Sequence, residues 1–255
     1  MSVDVVDLRE FYASPLGRQA RRSLAAAMRR AGGLPDDADT VGFGYPLPVL
    51  DLVLTANDRA VVLMPARQGA IRWPRQGANR TALTEDDELP LATGSVQCIV
   101  MMHVLENASD PALVLDEVWR VLVPEGRLVL VAPNRRGLWA RFEHTPFGNG
   151  SPFSRGQLSL LLRKARLTPA NWQGCLDFPP IRLRWLLRTY PVVDRIARRV
   201  WPIFCGAHLV VATKRLYQGV PSRQRKERRV ALPAMAPQSA RAGSSRADGN
   251  RRDGV

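Results

Sequence analysis

The sequence predicts an α/β fold in which helices cover both faces of a mostly parallel sheet. Two continuous apolar runs, residues 98–102 and 127–132, flank a segment with helical periodicity. Runs without polar alternation are typical of strands that are buried on both faces. The order strand, helix, strand indicates a right-handed crossover, and ligands bind beyond the carboxyl ends of strands joined in this way. We therefore expect the functional side chains at residues 103–107 and 134–136, which follow the two runs.

The elements before this unit follow from apolar spacing and from turn residues. Residues 4–31 carry apolar side chains at three- and four-residue steps, which predicts one or two helices ending at Gly32 and Gly33. A short strand at 40–44, a helix at 47–54 and a strand at 60–64 are expected next.

The elements within and after the unit follow from the same signals. A helix is predicted between the two runs and ends at residues 124–126; its apolar positions are Leu113, Val114, Val118, Val121 and Leu122. Beyond the second run we expect a loop at 144–154, a helix at 155–165 and a strand near 171–176. A basic helical insertion at 181–201 and a last strand at 208–213 complete the predicted domain, residues 1–217.

Composition limits the class of protein. The formal net charge is +14 over 255 residues, which favours weak contact with nucleic acid or an anionic membrane surface, although free use of arginine explains it as well. Three cysteines without paired spacing indicate reduced thiols in a cytoplasmic protein. Acidic residues near the amino terminus argue against a signal peptide. Residues 218–255 are rich in Ser, Pro, Gly, Ala and Arg, which predicts a disordered basic tail.

A family resemblance rests on the segment from 84 to 170. It consists of Leu89-Pro90-Leu91, a strand ending in residues 103–106 (HVLE), then 110–111 (DP), 117–122 (EVWRVL) and 124–128 (PEGRL). This pattern resembles class I S-adenosylmethionine-dependent methyltransferases, in particular the group described as methyltransferase type 11. The resemblance implies a Rossmann-like sheet of seven mostly parallel strands, with the cofactor S-adenosylmethionine at the strand ends.

The resemblance also implies a set of cofactor-binding residues. Gly42, Phe43 and Gly44 correspond to the first part of the family's glycine-rich turn, but Pro46 replaces its third glycine. The family places an acid for the ribose at the end of the second strand, where this chain has Met64. Loss of such a pair costs about 1.5–3 kcal/mol per hydrogen bond, which predicts weak binding, a replacement group or a degenerate site.

The remaining candidate residues lie after the third, fourth and fifth strands. Glu85 and Asp86 correspond to the acidic adenine position; a solvated acidic turn is the alternative. His103 is expected beside the methyl donor, or as a cap on backbone carbonyls. The candidate acceptor site is Asn134, Arg135 and His144, in a loop whose arginines and aromatic rings suit a flat, anionic or lipid-like small molecule, or else form ordinary core.

The function predicted from these residues is S-adenosylmethionine-dependent methyl transfer to an unidentified acceptor. Alignment of nucleophile, methyl group and sulfur supplies most of the acceleration in such a reaction, so no catalytic base is assigned. No metal is expected. The alternative is a catalytically degenerate relative that acts as a scaffold, or that associates with nucleic acid or a membrane surface through its arginines.

Overall fold

A computed structural model gives the architecture of the chain and describes residues 4–35, 37–55, 59–180 and 205–215. These residues belong to one unit, Met1–Gln218, which is separate from Gly219–Val255. The predicted tail and the basic insertion at 181–201 lie outside the described residues.

Seven strands form a single sheet in the order β3-β2-β1-β4-β5-β7-β6. The strands are β1 Thr40–Gly44, β2 Ala60–Pro65, β3 Thr81–Thr84, β4 Val96–Met102, β5 Leu122–Pro133, β6 Leu167–Cys175 and β7 Ala207–Lys214. Strands β1 to β5 pair in parallel, and β7 runs antiparallel to both β5 and β6. The predicted Rossmann-like fold, seven mostly parallel strands with helices on both faces, is thereby confirmed.

Within the described ranges, five α-helices cover the two faces of this sheet. They are α1 Val5–Ala13, α2 Pro15–Arg30, α3 Leu47–Val53, α4 Pro111–Val121 and α5 Arg155–Lys164. The first three pack with one buried cluster, and α4 and α5 pack with the other. Two side-chain caps define the starts of the last two helices. The carboxylate of Asp110 accepts from the amide of Ala112 at 2.8 Å, and Ser154 forms a capping box with Gln157.

Three differences from the predicted elements have local causes. Helix α4 ends at Val121, and β5 begins at once at Leu122, so residues 124–126 lie inside the strand; a register shift in its pairing with β4 accommodates them. Strand β6 begins at Leu167, before the predicted start near residue 171. The sequence did not indicate this earlier start because Pro169 interrupts the apolar pattern of the strand. Strand β3 was not predicted, since this short edge strand buries only Thr84 and has no apolar run.

Both buried clusters extend to the carboxyl edge of the sheet. The cysteines Cys98, Cys175 and Cys205 are buried, and none of the three forms a disulfide bond. None of the helices in the described part of the chain is long and apolar enough to cross a membrane. No group of three or more metal-binding side chains occurs within the same residues.

Candidate functional site

The glycines of β1 make room for neighbouring protein atoms. A Cβ added at Gly42 would lie 2.7 Å from Cγ of Pro46. Gly44 has a φ of +84°, and a Cβ there would overlap the carbonyl oxygen of Met102 and the side chain of Val104. The ring of Phe43 is buried in the cluster on the α4 and α5 side. Both glycines therefore have a packing role, and their contact with a cofactor stays a prediction.

His103 is the centre of a buried hydrogen-bonded chain at the carboxyl end of β4. Its Nε2 lies 2.8 Å from Oη of Tyr12, and its Nδ1 lies 3.1 Å from Oε1 of Glu106. The side chains of His103 and Glu106 are each 1% exposed. Tyr12 comes from α1, so this chain connects the amino-terminal helix to the sheet.

The protonation state of the chain follows from its burial. Loss of hydration, followed by the nearby Tyr45 and the charge of Glu106, raises the pKa of Tyr12 well above its usual value. The Tyr12 hydroxyl therefore keeps its proton, and we assign it as the donor to Nε2 of His103. With Nε2 accepting, Nδ1 carries the ring proton and donates to the Glu106 carboxylate. This arrangement fixes the orientation of the imidazole from both sides.

Two buried oxygen acceptors beside His103 have no hydrogen-bond donor among the residues that the structure describes. Gln68 donates from Nε2 to the carbonyl oxygen of His103 at 3.1 Å, which leaves its Oε1 without a partner. Oε2 of Glu106 also has none. Buried polar atoms are nearly always hydrogen-bonded, so this pair fits a ligand that carries N–H or O–H groups. The ammonium of S-adenosylmethionine is such a group.

The ribose position does not offer the family's carboxylate. Met64 is fully buried and is followed by Pro65, as the sequence indicated. At the adenine position, Asp86 forms an ion pair with Arg67, and Glu85 is exposed. Nη1 of Arg67 also lies 3.4 Å from Oγ of Ser109. The residues thus fit the amino-acid end of the cofactor better than its nucleoside end.

The candidate acceptor residues occupy different surroundings. Asn134 is buried at the end of β5, and its Nδ2 donates to the carbonyl oxygen of Cys205 at 2.7 Å. Arg135 is exposed, and the exposed ring of His144 packs edge-on against Phe142. Among the described residues, no hydrogen bond joins His144 to Asn134 or Arg135. Their role as one acceptor site stays a prediction.

Sequence reasoning missed two side chains of this region. Gln68 and Arg67 lie in the turn after β2, where no local pattern marks them. Glu106 was part of the segment that resembles the family, but nothing in its spacing showed that it pairs with His103. Its position three residues after the histidine, at the end of a buried strand, was the available signal.

Comparison with known families gives a match that includes Gln68, His103 and Glu106 but not Tyr12. A methyltransferase domain family matches residues 41–130, from β1 to the middle of β5. An uncharacterized 37.1 kDa protein in a transposon of Streptomyces fradiae is 32% identical over 97 residues. That stretch covers 36% of this chain and 28% of the Streptomyces protein. The chain thus matches little more than a quarter of the length of this curated relative.

Solved structures share the fold of this chain at low sequence identity. A SAM-dependent methyltransferase of Thermotoga maritima superposes with a TM-score of 0.57 and 17% identity, over 83% of this chain and 96% of its own. A SAM-dependent methyltransferase of Archaeoglobus fulgidus gives 0.52 and 15% identity, over 76% and 94%. These similarities establish the architecture of the domain.

Proposed function

We propose that this chain binds S-adenosylmethionine and transfers its methyl group to a small-molecule acceptor. Support comes from the methyltransferase domain match over residues 41–130 and from the fold that the chain shares with SAM-dependent methyltransferases. The observation that carries the proposal is the pair of buried, unpartnered acceptors, Gln68 Oε1 and Glu106 Oε2. Gln68 and Glu106 both lie within the matched region, and each forms a hydrogen bond with His103 at the carboxyl end of β4. A donor-bearing ligand at this place removes the cost of burying both atoms.

In this proposal the side chains around His103 bind and orient the cofactor. Glu106 and Gln68 accept from the ammonium of the cofactor, and Tyr12 holds His103 in one tautomer. When bound, the cofactor supplies a methyl group on a positively charged sulfur, which is a good leaving group. The chain's contribution is therefore alignment and exclusion of water, and no proton acceptor is required of His103.

The missing carboxylate at Met64 sets an expectation for affinity. Each charge-assisted hydrogen bond that the ribose does not receive weakens binding by about 10- to 100-fold. We therefore expect a dissociation constant for S-adenosylmethionine in the range of about 10 µM to 1 mM, with the methionine end carrying most of the specificity.

Titration calorimetry on the full chain tests the proposal. S-adenosylmethionine and its demethylated product, S-adenosylhomocysteine, should both bind, and Glu106→Gln should weaken both by about tenfold because it removes a charged acceptor. Glu125→Gln is the matched control, since Glu125 lies at an exposed turn inside β5. If neither S-adenosylmethionine nor S-adenosylhomocysteine binds at millimolar concentration, the proposal is wrong.

A second candidate function is a non-catalytic relative that retains the fold. It is favoured by the packing of Pro46 against Gly42 and by the absence of a carboxylate at Met64. In that case the Tyr12–His103–Glu106 chain only connects α1 to the sheet. Normal stability of the chain together with no response to either nucleoside would support this candidate.

A further inference from the structure

A cavity lies at the carboxyl edge of the sheet, on the face that carries α5. Its volume is about 630 Å³, within the usual range for small-molecule sites. Residues from the start of α5, the carboxyl ends of β5 and β6 and the start of β7 line it. The side chains that matter are Arg136, Arg155, Trp172 and His208, and none of the lining residues is acidic.

Two arginines place positive charge at the cavity, and one carboxylate, that of Asp177, lies near Gly174 and Cys205 of its lining. In the part of the chain that the structure describes, neither Arg136 nor Arg155 forms an ion pair with a carboxylate. The guanidinium of Arg155 lies over the ring of Trp172, with Cζ 4.9 Å from the ring centroid. Two guanidinium groups at one cavity are suited to a carboxylate or a phosphate group, which they recognise by paired hydrogen bonds.

Two aromatic rings next to Arg155 form part of the cavity wall. Trp172 and His208 pack edge-to-face, with ring centroids 6.1 Å apart and an interplanar angle of 84°. Burial, and then the charge of Arg155, lowers the pKa of His208 to about 4. The imidazole is therefore neutral near pH 7, so it adds surface and hydrogen-bonding capacity without adding charge. A flat ring fits against such a wall.

The cavity is separate from the His103 chain. Trp139 is fully buried between them: it packs against Phe147, and Phe147 packs against His103 with centroids 5.0 Å apart. On the other side, a Cβ added at Gly206 would overlap the Trp139 ring. A ligand in the cavity thus does not share the surroundings of His103.

We propose that this cavity binds a small aromatic anion, with its carboxylate or phosphate between Arg136 and Arg155 and its ring against Trp172. The proposal concerns binding and does not depend on methyl transfer. A failure of S-adenosylmethionine to bind leaves it intact.

Ligand titration with the full chain, followed by calorimetry or ligand-observed NMR, tests the assignment. The probes are benzoate, phenyl phosphate, neutral benzamide and inorganic phosphate. We expect benzoate or phenyl phosphate to bind at least about fivefold more tightly than both benzamide and inorganic phosphate, and the preferred probe distinguishes a carboxylate from a phosphate ligand. Raising the salt concentration should weaken the preferred probe, because the arginines are exposed.

Variants assign the binding to the cavity. Arg155→Gln should weaken the preferred probe about fivefold, a modest effect for an exposed charge, and Trp172→Leu should remove its advantage over the ring-free phosphate. Arg163→Gln, an exposed arginine at the other end of α5, is the control and should change nothing. Equal binding of benzamide, equal binding of inorganic phosphate, no binding of any probe, or equal losses in Arg155→Gln and Arg163→Gln would each overturn the proposal.

Discussion

Replacing Gly44 by alanine is expected to destabilise the fold strongly, whether or not a cofactor binds. The residue ends β1 with a φ of +84°, a backbone conformation that costs a residue with a Cβ about 1–2 kcal/mol. The new methyl group would also overlap the carbonyl oxygen of Met102 and Cγ2 of Val104. The first of these atoms belongs to the backbone of β4, so no side-chain rotation relieves the overlap.

The expected magnitude follows from these two contributions. Overpacking of a core contact costs about 1–3 kcal/mol, which brings the total loss in the free energy of unfolding to about 2–5 kcal/mol. For a domain of this size, each kcal/mol lowers Tm by about 2–4 °C, so Tm should fall by about 4–20 °C. The amide of Tyr45, which donates to the same carbonyl oxygen at 2.8 Å, is expected to lose that hydrogen bond.

Thermal unfolding followed by circular dichroism measures this loss. Gly156→Ala is the matched control, because a Cβ at this position in α5 meets no atom within 4 Å. Alanine also favours a helix over glycine by up to about 1 kcal/mol, so the control should melt at the same temperature as the parent or slightly higher. A Tm for Gly44→Ala within about 2 °C of the parent would refute the packing argument.

Two further predictions concern buried polar groups. Tyr12→Phe should lower the free energy of unfolding by about 1–3 kcal/mol, because it leaves Nε2 of His103 buried without a donor; an unchanged urea midpoint would contradict the role given to this bond. His208 should make the chain less stable as pH falls from about 6.5 to about 4, because its pKa is lowered to about 4 in the fold and the unfolded chain therefore binds a proton that the folded chain does not. His208→Gln should lose less stability than the parent over this interval, and equal slopes of urea midpoint against pH would show that burial of this histidine is not the cause.

Local signals in the chain were sufficient for most elements of the fold. The apolar runs of β4 and β5 and the helical spacing between them are read from a few adjacent residues. The family resemblance added the number of strands, which periodicity could not give. Edge strand β3 escaped prediction because solvent faces most of it, and an exposed strand needs no apolar pattern.

The sequence predicted only part of the candidate site, because several of its contacts join residues that are distant along the chain. The position of His103 at a strand end follows from the sequence. Its partners do not, because Tyr12 is 91 residues away and Gln68 is 35 residues away along the chain. Hydrogen bonds between such distant residues depend on how helices and turns pack over the sheet.

By itself, the sequence determined the alternation of strands and helices and the edge of the sheet where a ligand is expected, and it supplied the family resemblance. These properties depend on hydrophobic periodicity and turn residues, which act over short stretches of chain. Only the tertiary structure decided that Gly44 accommodates the backbone of β4, that His103 is held between Tyr12 and Glu106, and that Arg136 and Arg155 meet at one cavity. Each of these depends on the close packing of separate elements, where a single atom changes what fits.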